Sequence, residues 1–330
     1  MTELARAVIA GAVESEYLSQ NELSFISKGD FAGITLFKRN ITDDANQIEK
    51  LVATIQANSQ TKRIIAVDQE GGRVDRFKNS LVKNHGPALD LAEGLWDENA
   101  LMQLSTLGKD VGNALKVFGI NVNFAPVTDI NTNPQNPIIG NRAFGTTPES
   151  ASSRAGAWLR GLQETGVIGC LKHFPGHGDS EYDTHLETAK ISLDENTLRT
   201  REMIPFCDLI HEAKMIMVAH CIYESLDQDR PASLSHKIVT KILREQLGYS
   251  GLIVTDDLNM KALPQDYQTW GESLVEALMA GNDLLLVCRD IDRWAFGVDF
   301  LERSAKASPA LAVRLENAAT NVMNFRQSLI

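Results

Sequence analysis

The chain reads as a single closed (β/α)8 barrel of the α/β class over residues 1–330. Three observations predict it: eight short apolar, β-branched runs recur along the chain, amphipathic helical stretches separate them, and charged residues or histidines follow the runs. The runs are Val8 to Ala12, Ile34 to Phe37, Ile64 to Val67, Val122 to Phe124, Val167 to Leu171, Met215 to Val218, Leu252 to Thr255 and Leu284 to Val287. Between them, Ala45 to Gln60, Leu101 to Phe118, Ser152 to Glu164, Arg199 to Ala213, Ile238 to Leu247 and Gly271 to Met279 carry apolar residues at helical spacing. Near-continuous apolar strands alternating with helices imply a parallel sheet covered on both faces, and eight such units imply closure. A doubly wound open sheet uses the same units and stands as the alternative.

The polar residues at the strand ends separate the two. Asp68 follows the third run, Asp129 the fourth, Lys172 and His173 the fifth, His220 the sixth, and Asp256 and Asp257 the seventh. In a barrel these ends converge on one mouth, where active sites are built, whereas a switch-point crevice gathers fewer strands. Asp at such a position can simply cap the next helix, but His and Lys are not favoured caps.

A formal net charge of −11 and the absence of clustered Lys and Arg exclude a nucleic-acid partner, which needs cations to displace phosphate counterions. Cysteines at 170, 207, 221 and 288 form no C-x-x-C pair and read as free thiols. The apolar run from Ala7 to Val13 is followed by Glu14 and Glu16 where a signal peptide needs a small-residue cleavage site, and no stretch reaches transmembrane length. The expectation is a cytoplasmic protein with no membrane partner, monomeric by default.

The segment KHFPGHGDSEYDTH, Lys172 to His185, packs three His, two Asp, a Glu and a Lys into fourteen positions. Pro175, Gly176 and Gly178 make it a loop with freedom for unusual backbone angles. Three chemistries fit: a metal site, since His and Asp at short spacing ligate zinc; acid/base catalysis, with Asp183 close enough to orient His185 and raise its basicity; or backbone capping. In LIVTDD, successive strand residues point different ways, so one carboxylate enters the mouth, Asp256 as the direct continuation of the strand, while Asp257 caps the next helix.

Taken together, GITLFKRN from Gly33, VDQEGGRVDRF from Val67, NFAPVTDI from Asn123, NPIIGNRAFG from Asn136, the Lys172 to His185 loop, MVAHCIY from Met217, RPASLS from Arg230 and VTDDLNM from Val254 resemble the β-N-acetylglucosaminidases of glycoside hydrolase family three, of the short bacterial cell-wall-recycling type. The resemblance implies a retaining exo-β-N-acetylglucosaminidase with Asp256 as nucleophile, His185 as general acid/base and Asp183 as its orienting partner, an Asp-x-His pair on a mobile loop replacing the usual second carboxyl group. It places Asp68, Arg142, Lys172 and His173 around the terminal sugar, with Arg73 and Met260 as further contacts, while His177 and Asp179 shape the loop. It implies a saccharide substrate, N-acetylglucosamine linked to an anhydro-muramic acid unit with or without peptide, and neither metal nor organic cofactor. Thr184 stands where the family often has Ser, and Ser180 where Thr is common; Glu181 and Tyr182 match no fixed pattern. The rival readings are a zinc-dependent barrel hydrolase using His173, His177 and His185, an enzyme acting on chitin fragments, a phosphorylase, and a non-catalytic sugar-binding barrel.

Overall fold

The computed structural model describes all residues except 58, 60, 78–80, 93–97, 181–188, 290 and 330, and only the backbone of residue 92. Among the described residues ten strands form: β1 Ile9–Ala12, β2 Gly33–Leu36, β3 Ile64–Val67, β4 Val122–Asn123, β5 Ile168–Phe174, β6 Lys190–Ile191, β7 Met215–Val218, β8 Ile222–Tyr223, β9 Leu252–Asp257 and β10 Leu284–Leu286. Eight close a barrel in the order β1, β10, β9, β7, β5, β4, β3, β2, with every neighbouring pair parallel, while β6 and β8 pair separately. The expected α/β barrel is therefore the fold. The N-terminal apolar run is buried in it as β1.

Strand alternation sorts the apolar residues into two cores. Ala10, Ala12, Ile64, Ala66, Val122, Phe124, Ile168, Cys170, Met215, Met217, Leu252, Val254, Leu284 and Leu286 fill the barrel interior. Their chain neighbours Ile9, Ile65, Val67, Leu171, Ile216, Val218, Ile253 and Leu285 pack outward against the helices. Val322 and Leu329 enter the interior cluster from the C-terminal end of the chain, so the helix Pro309–Gln327 closes the barrel floor. Arg326, wholly buried, ties that helix to the floor loops: it pairs with Asp30 (2.9 Å) and donates to the carbonyls of Phe31, Lys62 and Thr61.

Several elements depart from the sequence expectation. β5 runs on to Phe174, so Lys172 and His173 belong to the strand rather than to the loop after it. The helix expected over Arg199 to Ala213 is split into a wide-turned segment, Leu198–Glu202, and a short helix, Ile204–Leu209, because Pro205 cannot donate into a continuous helix and is tolerated only in a first turn. The helix from Ala45 ends at Gln56, whose side chain turns to bond Arg63 N–H and C=O beside β3. Thr2–Ala7, Ile291–Ala307 and Pro309–Gln327 are helices that the strand-and-helix pattern left unassigned. The thiols of Cys170, Cys207, Cys221 and Cys288 are unbridged.

Candidate active site

At the carboxyl ends of the strands the inward parity continues past the apolar layers into polar residues. Leu252 and Val254 face inward, so Asp256 does; Ile64 and Ala66 lead to Asp68, and Ile168 and Cys170 to Lys172. These three line a cavity of about 340 Å³ with Glu70, Arg76, Arg142, His173, His177, Asp257 and Met260, its apolar wall formed by Phe37, Met217 and Leu286 among others. That volume is at the low end of the roughly 300–1,000 Å³ usual for small-molecule sites. His173 follows Lys172 directly yet also faces the cavity, because the pairing of β5 with β7 shifts register between Leu171 and Phe174.

One wall is an alternating chain of charges. Lys172 Nζ lies 2.8 Å from Asp68 Oδ1 and 2.6 Å from Glu70 Oε1; Arg142 donates to both oxygens of Glu70 at 2.8 Å; Arg76 reaches Asp68 Oδ2 at 3.2 Å. Burial alone would push the Glu70 carboxyl up, but the charges of Arg142 and Lys172 and their hydrogen bonds hold it well below the usual carboxylate range. Asp68 is likewise held low against burial by Lys172 and Arg76. Burial opposes the charge on Lys172 too, and Asp68 and Glu70 outweigh it, so the ammonium is held above its ordinary value. Asp68, Glu70 and Lys172 are thereby held ionised at neutral pH, and their charge-assisted hydrogen bonds fix one another in place.

The opposite wall is carboxylate and imidazole. Asp256 Oδ1 accepts the N–H of Asp257 at 2.8 Å. Asp257 does not cap a helix: its Oδ1 accepts from Asn259 N–H and from Cys288 N–H of the neighbouring strand end, and it also lines the cavity. Burial, opposed by those bonds and abetted by the Asp256 charge, pushes the Asp257 carboxyl up to about 6. His220 lies behind, joined to Ser233 Oγ (2.6 Å) and to the carbonyl of Asp257 (3.1 Å), and holds the end of β9 rather than entering the cavity. Burial, with His173 nearby, lowers His177 to about 4, so its imidazole is neutral at physiological pH.

Of the residues expected at the site, Asp256, Asp68, Arg142, Lys172, His173 and Met260 meet at this cavity. Arg73 does not: its guanidinium donates to the carbonyls of Ile138 and Ile139, and Arg76 takes the place at the mouth. Asp183 and His185 lie outside the described residues. Asp179 faces Arg201 (3.3 Å) and Thr132 at the start of their loop. Glu70, two past Asp68 in VDQEGGRVDRF, follows from the strand's parity, whereas Arg76 does not, since it lies beyond the turn at Gly71 and Gly72. Among the described residues, no group of three or more His, Cys, Asp or Glu has a metal-holding arrangement, and no helix is long and apolar enough to cross a membrane.

An eight-stranded parallel barrel with ionised residues gathered at the carboxyl ends of its strands defines an α/β-barrel protein whose polar site lies at the face where this fold carries chemistry. The chain belongs to glycosyl hydrolase family 3, the model of whose N terminal domain matches residues 7–325. It is 34% identical over 285 residues to a beta-hexosaminidase A of Pseudoalteromonas piscicida, covering 81% of this chain but only 47% of that protein. To a beta-hexosaminidase of Nitrosomonas eutropha it is 37% identical over 265 residues, 79% of this chain and 74% of that one. A glycoside hydrolase family 3 beta-N-acetylglucosaminidase from Paenibacillus sp. superposes with a TM-score of 0.89 at 30% identity over 99% of this chain and 63% of that one. The chain thus spans about half the length of the first of these relatives and under two thirds of the solved structure.

Proposed function

We propose that the protein is a retaining exo-β-N-acetylglucosaminidase that removes terminal non-reducing N-acetylglucosamine, with residues 1–330 as one catalytic domain. The observation that carries this reading is Asp256 on the inward parity of β9, lining a small cavity whose other wall is ionised and hydrogen-bonding. Similarity to proteins named beta-hexosaminidase and beta-N-acetylglucosaminidase supports the sugar. In this reading Asp256 attacks the anomeric carbon while His185, oriented by Asp183, gives its proton to the departing oxygen. Water then attacks the anomeric carbon of the glycosyl-enzyme, His185 takes the proton of that water, and the bond from that carbon to Asp256 breaks to release the carboxylate, so configuration is retained. Asp68, Arg142, Lys172, His173 and Met260 hold the sugar. The leaving group in this reading is an anhydro-muramic acid unit, with or without peptide, met by a monomer in the cytoplasm during cell-wall recycling.

Incubation with a fluorinated N-acetylglucosaminide tests sugar, nucleophile and covalency together. The expected result is one added glycosyl unit by intact mass, mapping to the peptide that contains Asp256. No adduct, or an adduct elsewhere, sinks the assignment.

A further inference from the structure

Asp129 is wholly buried just beyond β4 and is stitched to β5, since its own N–H and that of Thr128 donate to the carbonyl of Lys172. Its carboxylate is crowded with donors. Oδ1 accepts from the backbone N–H of His173 at 3.0 Å and of His177 at 2.7 Å, while Oδ2 accepts from His173 N–H at 3.0 Å and stands 2.7 Å from His173 Nδ1. Two backbone donors on one oxygen fix the plane of the carboxylate and leave the other for the ring. Burial works against the charge of Asp129, but His173, the hydrogen bonds from it and His177 hold the group below its ordinary value, so it is ionised. An ionised carboxylate only accepts, so the proton of that short contact belongs to Nδ1. The His177 ring packs edge-on against His173 at 5.8 Å between centroids and fixes the imidazole from the side.

We infer that Asp129 is a positioning residue of this site: by taking the Nδ1–H of His173 it sets the tautomer and tilt of the imidazole, so that Nε2 is the atom offered to a sugar hydroxyl in the cavity. The same logic orients histidines whose second nitrogen is bonded to a carboxylate in metal and acyl-transfer sites. Here no metal or serine is invoked. The ligand class is a pyranose hydroxyl, hydrogen-bonded at Nε2. Only the kinetic arm of the test rests on the hydrolase reading.

The test is a two-bond proton–nitrogen correlation spectrum of the ¹⁵N-labelled full chain, with the His173 signals assigned by their loss in His173→Gln. Wild type is expected to carry Nδ1–H at His173. Asp129→Asn keeps an amide oxygen for the two backbone donors and turns its NH2 toward Nδ1, so the ring is expected to switch to Nε2–H. Its kcat/KM on an aryl β-N-acetylglucosaminide is then expected to fall about tenfold or more, as for a lost charge-assisted hydrogen bond. Nε2–H in wild type overturns the inference even if the variant does not fold. So does a folded Asp129→Asn that keeps Nδ1–H, or one that switches tautomer with kcat/KM unchanged. A wild type carrying Nδ1–H but inert toward the glycoside removes the hydrolase reading and leaves the role of Asp129 standing.

Discussion

At the scale of single residues, Lys172 is the pivot of the charged wall. It lies between Asp68 and Glu70, and Glu70 in turn holds Arg142 bidentately. Removing one partner of a buried ion pair costs about 3–5 kcal/mol, because the other charge is left without compensation. Glu70→Ala leaves Arg142 without its carboxylate while Lys172 keeps Asp68, so the unfolding free energy from urea titration is expected to fall by about that amount, and with Glu70→Gln by less. Equal midpoints for wild type and Glu70→Ala would contradict this account. The sequence carried most of this wall, since parity along β3 and β5 points Asp68, Glu70 and Lys172 inward. It did not say which arginine of VDQEGGRVDRF returns to the mouth. That depends on the turn at Gly71 and Gly72, both at positive φ, which sends Arg73 to the carbonyl of Ile138 and brings Arg76 back to Asp68.

At the scale of elements, the segment after β5 is held from below as well as from β5 itself. Gly178 packs so closely that a Cβ there would overlap the carbonyl oxygen of Ile130, and Gly176, at φ +129°, sits against Glu202. Gly178→Ala is therefore expected to cost about 1–3 kcal/mol or more, as overpacking does, whereas Ala at Gly248, with nothing within 4 Å, strains only the backbone. Parallel urea titrations compare them. Glu202 is wholly buried, and burial pushes its carboxyl up to about 7 although the charge of Arg201 draws it down. A carboxyl whose folded value exceeds its unfolded one binds more protons in the native state. Stability is then lost as pH rises from the unfolded value near 4.5 through about 7. Glu202→Gln should thus melt higher than wild type at pH 8 and much closer to it at pH 5; the reverse order would remove the buried charge as the cause. None of this contact was legible beforehand. The glycines announced a loop, but the length of β5 and the register shift that turns His173 inward arise from pairing with β7, a long-range event that local pattern does not record.

At the scale of the whole molecule, the barrel has a chemical end and a structural end. The floor depends on Arg326, which serves Asp30 and three carbonyls from Phe31 to Lys62. Arg326→Ala takes a donor from these carbonyls and from Asp30, which is part-exposed and keeps Arg63, and is expected to lower the unfolding free energy by about 1–3 kcal/mol without changing the Asp256 labelling rate in whatever fraction stays folded. A variant as stable as wild type would show that the floor does not need the anchor. The alternation of strands and helices announced the barrel, but Pro309–Gln327 follows the helix Ile291–Ala307 rather than a strand and so fell outside that pattern. The inward layering also bears on how such a molecule can change over time. Apolar rings of the interior sit below the ring that holds Asp68, Lys172 and Asp256, and β3, β5 and β9 each supply both through consecutive inward positions. New chemistry can be written in the top ring by replacing one residue per strand, while the rings beneath preserve the architecture, so invention and robustness are assigned to different storeys of the same strand.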